Sequence, residues 1–339
     1  MATPTTTTAA AATSSLLLTK LTSNPSIHML NPSNVESKLV SFLHGGASNL
    51  GVVADFDRTL TSAQSCSAHG VMERVAGASE EYTMTTQANT AKFFPIEIDP
   101  KLTIEEKVRV MYIYMCNHSF FSHSPLTQSP HPHFFPFQLP FMREWYTSNH
   151  TAMVSAGITS TSITAAVQTA PIKMRPRAPQ LLNLLQSSHV PLLIFSAGLA
   201  DVIELILSDL VRLPPCTTTR VVSNRMAFSP TGLVTEFSEP LIHMFNKRQE
   251  AVPPAEQLVA PNQILLGDGY GDRTMCDGAA VPPITLLKVG FLNDHVAEKL
   301  EQYKGAFDVV CVGDGGMDFV VDIVRGVVEG GGGGEKALK

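Results

Sequence analysis

A short apolar run meets two spaced carboxylates: Val52-Val53-Ala54 leads directly into Asp55-Phe56-Asp57-Arg58-Thr59. The run, residues 50–54, is bounded by Asn49 and Asp55 and reads as a buried strand. A turn at its end lets both carboxylates face one site. Asp55, ionised at neutral pH, can act as a nucleophile and form an acyl phosphate. Asp57 can protonate a leaving alkoxide and later activate water. Together they offer hard oxygen ligands to Mg²⁺, which screens their charge from an incoming phosphate. The competing reading is a solvated Asp pair in a turn. The strand before the pair and Thr59 after it weigh against that reading.

Four further apolar runs, 191–195, 263–266, 286–291 and 308–312, read as buried parallel strands. Helical stretches such as 34–43, 201–213 and 294–303 alternate with strands. The alternation predicts an α/β fold, a Rossmann-like doubly wound parallel sheet core built from 31–61 and 186–328. In such a sheet, ligands bind beyond the carboxyl ends of the strands. Residues 62–185 hold few strand-like runs and read as an inserted, mainly helical cap domain. Residues 1–30 are rich in Thr, Ser and Ala, carry only Lys20 and contain no acid, a composition that predicts a disordered tail. An organelle transit peptide is the alternative, weakened by the absence of Arg. Residues 329–339, with the glycine run Gly330–Gly334 and a charged end, are expected to form a second disordered tail.

Three more strand ends and loops carry candidate chemistry. Phe195-Ser196-Ala197-Gly198 follows a strand, and a small hydroxyl with free N–H groups at a helix start suits a phosphate oxygen. By itself it is also an ordinary turn. Lys247, in Phe245-Asn246-Lys247-Arg248, can bridge a nucleophile and a phosphate, although a lone lysine is usually on the surface. Gly267-Asp268-Gly269-Tyr270-Gly271-Asp272 places two acids in a glycine-rich turn after a core strand and suits the acidic arm of a metal site. A second Gly-Asp-Gly, at Gly313–Gly315, lacks the second acid and reads as a turn.

Charge narrows the partners. The net charge is −6, from 24 basic and 30 acidic residues, with no dense Lys/Arg run. A nucleic-acid face is not expected, so a substrate phosphate must be met by a local site and a metal. Five scattered cysteines without a C-x-x-C pair argue against a disulfide framework or a zinc site and fit a reducing compartment. No apolar run approaches the ~20 residues needed to span a bilayer. The expectation is a cytoplasmic protein without membrane or nucleic-acid partners, with organelle targeting through 1–30 as the alternative. Oligomeric state is not legible.

Residues 109–139 are anomalous, rich in His, Ser, Pro and Phe. Unstructured loops beyond ~12–15 residues are uncommon in compact domains. Phe134-Phe135-Pro136-Phe137-Gln138 can be encoded by a pyrimidine tract ending in CAG, as introns end, and Arg109-Val110 can be encoded around an intron start. A retained intron is one expectation for this segment, and a flexible cap loop is the other.

The order strand–DxDxT, strand–Ser, Lys, strand–GDxxxD is more specific than any of its parts, and with it the sequence resembles the haloacid dehalogenase superfamily. Within that superfamily it is similar to the cytosolic 5′-nucleotidase III, or pyrimidine 5′-nucleotidase, family. The resemblance runs over 27–328 apart from the anomalous segment. Ile96-Glu97-Ile98-Asp99-Pro100, Glu144-Trp145-Tyr146-Thr147, Val221-Val222-Ser223-Asn224 and Gly290-Phe291-Leu292-Asn293-Asp294 also carry it. It implies a Mg²⁺-dependent hydrolase of nucleoside 5′-monophosphates, with Asp55 as nucleophile and Asp57 as general acid and base. By the same resemblance, Mg²⁺ would sit on the Asp55 carboxylate, the Asp57 carbonyl and Asp268, with Asp272 supporting the metal. Ser196, Ala197 and Lys247 would hold the phosphate, and Glu97, in the cap, would read the base. Asn149 stands where the family has a ligand-contacting Ser. His69 aligns with the family's base-stacking region, but the aromatic expected beside it does not. The base stays open between pyrimidines, as in CMP or UMP, and 7-methylguanine. A phosphatase for another small phosphoester, such as phosphoserine, shares every catalytic residue, and a non-catalytic nucleotide-binding protein is the remaining alternative.

Overall fold

The structure, a computed structural model, describes residues 4–75, 79–98, 102, 106 and 138–330, with only the backbone at 4–8, 94, 97, 98 and 138–141. Two helices, α1 (Pro4–Ser23) and α2 (Pro32–Gly45), flank the two-residue strand β1 (Ile27–His28) and lead into β2 (Leu50–Ala54). A helical stretch comes next: α3 (Ala68–Met72), α4 (Glu80–Ile98), α5 (Gln138–Ser155), α6 (Ser160–Thr169) and α7 (Ala178–Ser187). The chain then forms β3 (Leu192–Leu199), α8 (Ala200–Leu205), β4 (Thr219–Asn224) and a hairpin of β5 (Met226–Phe228) and β6 (Val234–Phe237). It ends with β7 (Asn262–Gly267), β8 (Thr285–Leu292), α9 (Val296–Lys304), β9 (Val309–Val312) and α10 (Asp318–Gly330).

The main sheet has the order β1-β9-β8-β7-β2-β3-β4. Every pairing is parallel except β1 with β9. The five strands expected from apolar runs are all present, and the expected α/β core is the one observed. Side chains alternate between two covered faces, as a doubly wound sheet requires. Val52, Ala54, Ile194, Ile264 and Leu266 enter one apolar cluster, while Val53, Leu193, Phe195 and Leu265 enter the other. Central β2 pairs Ala54 with both Ile194 of β3 and Leu266 of β7. That register sets Asp55, Ser196 and Asp268 at neighbouring strand ends.

The N-terminal expectation is corrected. Residues 4–23 are a helix, and Ala10, Ser14, Leu17 and Leu21 are buried. Their spacing of four, three and four positions is a helical stripe. Ser14, Thr19 and Thr22 donate their hydroxyls to carbonyls three or four residues back, so the polar composition is absorbed within the helix. Lys20 pairs with Asp322 of α10 at 2.8 Å. Composition suggests disorder where periodicity and a docking surface decide the outcome.

Other differences are local. β3 continues through Ser196 to Leu199 with an irregular register between Phe195 and Leu199, so Ser196 sits on a strand rather than at a helix start. The expected helix at 201–213 is divided into α8 and a wider turn through Leu210. Strands β1, β4, β5 and β6 have no counterpart among the strands expected from the sequence. Helices α4 and α5 pack together around Phe93, Met142 and Trp145, with the Phe93 and Trp145 rings 5.1 Å apart. Most of the anomalous segment 109–139, and residues 331–339 of the C-terminal tail, lie outside the described residues.

Candidate active site

The chain leaves β2 with Asp55 N–H donating to Leu266 O at 2.9 Å, which holds Asp55 against the end of β7. A tight turn over Phe56–Leu60 comes next, and Arg58 takes the left-handed conformation, φ 62°. Such a φ is uncommon for a residue with a Cβ. Thr61 Oγ1 stabilises the turn by accepting from Arg58 N–H at 2.8 Å. Asp57 is thereby turned beneath α3, where its carboxylate accepts from Ala68 N–H at 3.0 and 3.2 Å.

Lys247 lies on the loop beyond the β5–β6 hairpin and is 4 % exposed. Its ammonium is 2.5 Å from Asp55 Oδ1 and 2.7 Å from Asp272 Oδ1. Asn224, fully buried at the end of β4, fixes that loop. It donates to Ile242 O and accepts from Ile242 N–H, at 2.8 and 2.9 Å. It also donates to the carbonyls of Ala197 and Gly198 at 3.0 and 3.1 Å. One amide thus ties the Ser196-Ala197-Gly198 strand end to the Lys247 loop. A Cβ built on Gly198 would lie 3.4 Å from Asp57 Oδ2 and 3.2 Å from Ser196 Oγ, so that strand end stands directly beside Asp57. Ser196 Oγ accepts from Gly198 N–H at 3.0 Å, which leaves its own hydrogen to donate.

Beyond β7, Asp272 Oδ2 accepts from Gly269 N–H at 2.8 Å, closing the Gly267–Asp272 turn. Gly267 has no room for a side chain, since a Cβ there would sit 2.4 Å from Asp272 Cβ. Tyr303 Oη donates to Asp268 O at 2.7 Å. Carboxylate oxygens of Asp55, Asp268 and Asp272 all lie within 4.8 Å of one another. Asp57 is not in that group, and its carboxylate lies against Ala68 N–H instead.

Three close carboxylates face the Lys247 ammonium and, 3.8 Å from Asp268 Oδ2, the Arg58 guanidinium, and Asp57 beside them leaves an excess of negative charge in a confined space. Burial, and then Asp272, outweigh Lys247 and push Asp55 up to about 6. Burial and the neighbouring Asp55 push Asp57 up to about 7. Burial and the charges of Asp55 and Asp272 hold Asp268 well above the usual carboxylate range. Burial alone would lower the Lys247 ammonium, but Asp272 and Asp55 reverse the sign and raise it, so it stays charged. This is a site short of positive charge, with oxygen donors suited to a hard cation.

Tyr146 of α5 meets three histidines: His69, next to the Ala68 that donates to Asp57, at 5.7 Å, His150 at 6.1 Å and His243 at 6.5 Å between ring centroids. Burial pushes His69 and His243 down to about 4, and burial with His69 pushes His150 down to about 3. All three are neutral at pH 7. The aromatic that the sequence does not supply near His69 comes from a distant helix. Asn149 Oδ1 accepts from Asn89 across the α4–α5 pair at 2.7 Å, so Asn149 is tied within the cap. Glu97 falls on α4, with its side chain outside the described residues. Asp55, Lys247, Asp268 and Asp272 are drawn together, and Asp57, Ser196 and Ala197 stand beside them. Sequence reasoning misses Asn224, Ala68, Arg175 and Asn293 as site-building residues. Among the described residues, no helix is long and apolar enough to cross a membrane, and Cys66, Cys216, Cys276 and Cys311 are free.

Comparison with known proteins points one way. The family model for pyrimidine 5′-nucleotidase (UMPH-1) matches residues 56–133 and 122–328. The 7-methylguanosine phosphate-specific 5′-nucleotidase of Homo sapiens is 31% identical over 314 residues, covering 90% of this chain and 92% of its own. Its counterpart from Drosophila melanogaster is 28% identical, covering 86% and 83%. The crystal structure of cytosolic 5′-nucleotidase IIIB bound to cytidine superposes with a TM-score of 0.75 at 26% identity, over 93% of this chain and 98% of that one.

Proposed function

The chain belongs to the pyrimidine 5′-nucleotidase family, and on that premise we propose that it hydrolyses nucleoside 5′-monophosphates to nucleoside and phosphate through an aspartyl-phosphate on Asp55. The observation that carries the reading is Lys247 lying between Asp55 and Asp272 at the end of β2, with Asp57 carrying a raised pKa one turn away.

The donor set fits Mg²⁺. Oxygen ligands converge from Asp55, Asp268 and Asp272, and the cluster lacks a positive charge that a divalent ion would supply. Asp55, Asp268 and the Asp57 carbonyl would hold it, with Asp272 in support. Bound there, it would draw negative charge from the phosphoryl oxygens. Lys247, Ser196 Oγ and the Ala197 N–H hold the remaining oxygens and orient the ester. Asp55 attacks phosphorus in line, and the bond to the 5′-oxygen breaks. Asp57, protonated near neutrality, gives its proton to that oxygen. The resulting carboxylate then takes a proton from water as the water attacks phosphorus, freeing Asp55 and phosphate. The same intermediate could pass its phosphoryl group to a second nucleoside.

We assign base recognition to the cap. Tyr146 and the neutral His69 offer ring faces for stacking. Asn149 and Glu97 offer polar contacts, and a carboxylate at Glu97 accepts from an exocyclic amine. Relatives named for 7-methylguanosine phosphate and a relative structure holding cytidine support both nucleotide classes as candidates. A cytoplasmic location agrees with the word cytosolic in the relatives' names.

Phosphate release from CMP by the full-length chain tests the reading, with Asp55→Asn as the blank. Release abolished by EDTA and by Asp55→Asn is expected. Release that survives both rejects the mechanism.

A further inference from the structure

Arg175 carries a charge into complete burial, 0 % exposed, and every one of its side-chain nitrogens has a partner. Nε donates to Thr59 O at 2.7 Å. Nη1 donates to Gly315 O at 2.9 Å and lies 3.2 Å from Asp314 Oδ1. Nη2 donates to Arg58 O and, at 2.9 Å, to Asn293 Oδ1. The flat face of the guanidinium covers the Phe291 ring, 4.3 Å from its centroid. The main chain adds one bond more, Arg175 N–H to Leu60 O at 2.9 Å. One residue therefore receives three consecutive carbonyls, 58 to 60, immediately after Asp57.

Those carbonyls belong to the turn that Arg58 makes in the left-handed region. A residue with a Cβ holds that conformation only when its surroundings fix it. Asn293 Nδ2 reinforces the clamp by donating to Arg58 O at 3.0 Å. Asp314 closes it on the far side, accepting from Ala63 N–H at 2.8 Å. The second Gly-Asp-Gly, a plain turn by its sequence, is thus one jaw of this clamp. Asp55 is held separately, through its own bond to β7. The clamp acts on the residues beyond Asp55, and the group it orients is the Asp57 carboxylate beneath Ala68.

We propose that Arg175 is a positioning residue for proton transfer: its guanidinium fork fixes the 58–60 carbonyls and so aims Asp57 at the leaving oxygen. The proposal rests on Asp57 being the general acid of the reading above. It predicts a selective defect. A nucleoside 5′-oxygen needs a proton to depart, whereas 4-nitrophenolate leaves without one. A merely structural residue would weaken both reactions alike.

The experiment compares wild type, Arg175→Lys and Arg175→Met on CMP and on 4-nitrophenyl phosphate, with thermal midpoints recorded. Lysine keeps the charge but not the planar fork, so both variants should behave alike. Loss of an aimed general acid costs about 10²-fold or more, and we expect that loss in kcat for CMP, with aryl phosphate turnover within about threefold of wild type. Equal losses on the two substrates, no loss, or full activity in Arg175→Lys overturns the proposal. If the Arg175 variants do not fold, Asn293→Ala removes one arm of the clamp, and because Asn293 Nδ2 also lies 3.4 Å from Asp268 Oδ2, the same ratio is read from it at saturating Mg²⁺. A shift of at least threefold against CMP supports the proposal, and an unchanged ratio overturns it. If wild type turns over no nucleotide, the nucleotidase reading fails by itself, and the ratio is read with phosphoserine as the alkyl ester.

Discussion

Lys247 Nζ lies 2.5 Å from Asp55 Oδ1, with the two side chains 4 % and 8 % exposed. The ammonium is the only cation the structure puts in hydrogen-bonding contact with both Asp55 and Asp272 among the described residues. Removing one partner of a buried pair leaves uncompensated charge and typically costs ~3–5 kcal/mol. Lys247→Ala is therefore expected to lower the thermal midpoint in EDTA, and Mg²⁺ should recover part of that loss. Turnover of CMP should fall by about 10²–10³-fold, the usual cost of removing a donor to the developing charge. Differential scanning fluorimetry and phosphate release measure the two effects. A variant as stable and active as wild type would remove Lys247 from the site.

The same charge imbalance sets a pH dependence. Asp55 and Asp57 are raised in the folded state to about 6 and about 7, above their ordinary 3.8. Between those values the folded protein holds protons that the unfolded chain has lost, so stability falls as pH rises. Above pH 7 Asp55 and Asp57 are both ionised and their share of the penalty is fully present. Mg²⁺ should offset the penalty where it exists. The rise in thermal midpoint on adding Mg²⁺ should be small at pH 5 and largest near pH 8. A shift independent of pH would mean that the ion binds elsewhere.

Gly267 and Asp272 approach so closely that any side chain at 267 displaces the acid, because the built Cβ falls 2.4 Å from Asp272 Cβ. Gly267→Ala adds only a methyl group. It should nevertheless lower the thermal midpoint, since overpacking of this kind costs roughly 1–3 kcal/mol. It should also raise the Mg²⁺ concentration needed for half-maximal activity several-fold. A titration of activity against Mg²⁺ separates this from simple instability. An unchanged half-saturation point would show that Asp272 does not support the metal.

The fold and much of the site are legible in the sequence because their signals are local. An apolar run of strand length, ended by an acid, marks both a central strand and the end where the candidate site lies: Asp55 follows β2 and Asp268 follows β7, with Asp57 in the turn beyond Asp55. Lys247 has no such local signal and stands out only through the order of the surrounding motifs. Arg175 is invisible for a further reason, since its partners Thr59 and Asn293 lie 116 and 118 positions away. Nothing near Arg175 in sequence announces a clamp. Asn224 likewise carries no local signal, and its role shows only where the carbonyls of Ala197 and Ile242 meet its amide. The helix over 4–23 differs in kind: its stripe of Ala10, Ser14, Leu17 and Leu21 is present in the sequence, but a Thr- and Ser-rich composition hides it.

Glu97 falls on α4, and Asn149 lies on the partner helix α5. If Glu97 reads an exocyclic amine, its loss should be felt by substrates that carry one. Glu97→Ala should cut kcat/KM for CMP by about 10-fold or more, because a buried hydrogen bond to a charged group is worth ~1.5–3 kcal/mol. Turnover of phosphoserine or 4-nitrophenyl phosphate should stay within about twofold, since neither reaches the base contacts. Equal losses on all three would move Glu97 from base recognition to the general integrity of the cap.

In sequence, residues 109–139 run from beyond α4 into the first two residues of α5, and the family match is in two parts that overlap over 122–133. If the segment is a retained intron, the cap does not need it. A deletion of 109–139 is expected to fold, to keep Mg²⁺-dependent release from CMP and to match or exceed the full chain in kcat/KM. Sequencing the transcript across the segment provides the independent arm. A messenger lacking these codons would identify a retained intron in the gene as read. A messenger that keeps them, together with a deletion that loses activity, would make the segment a working part of the cap.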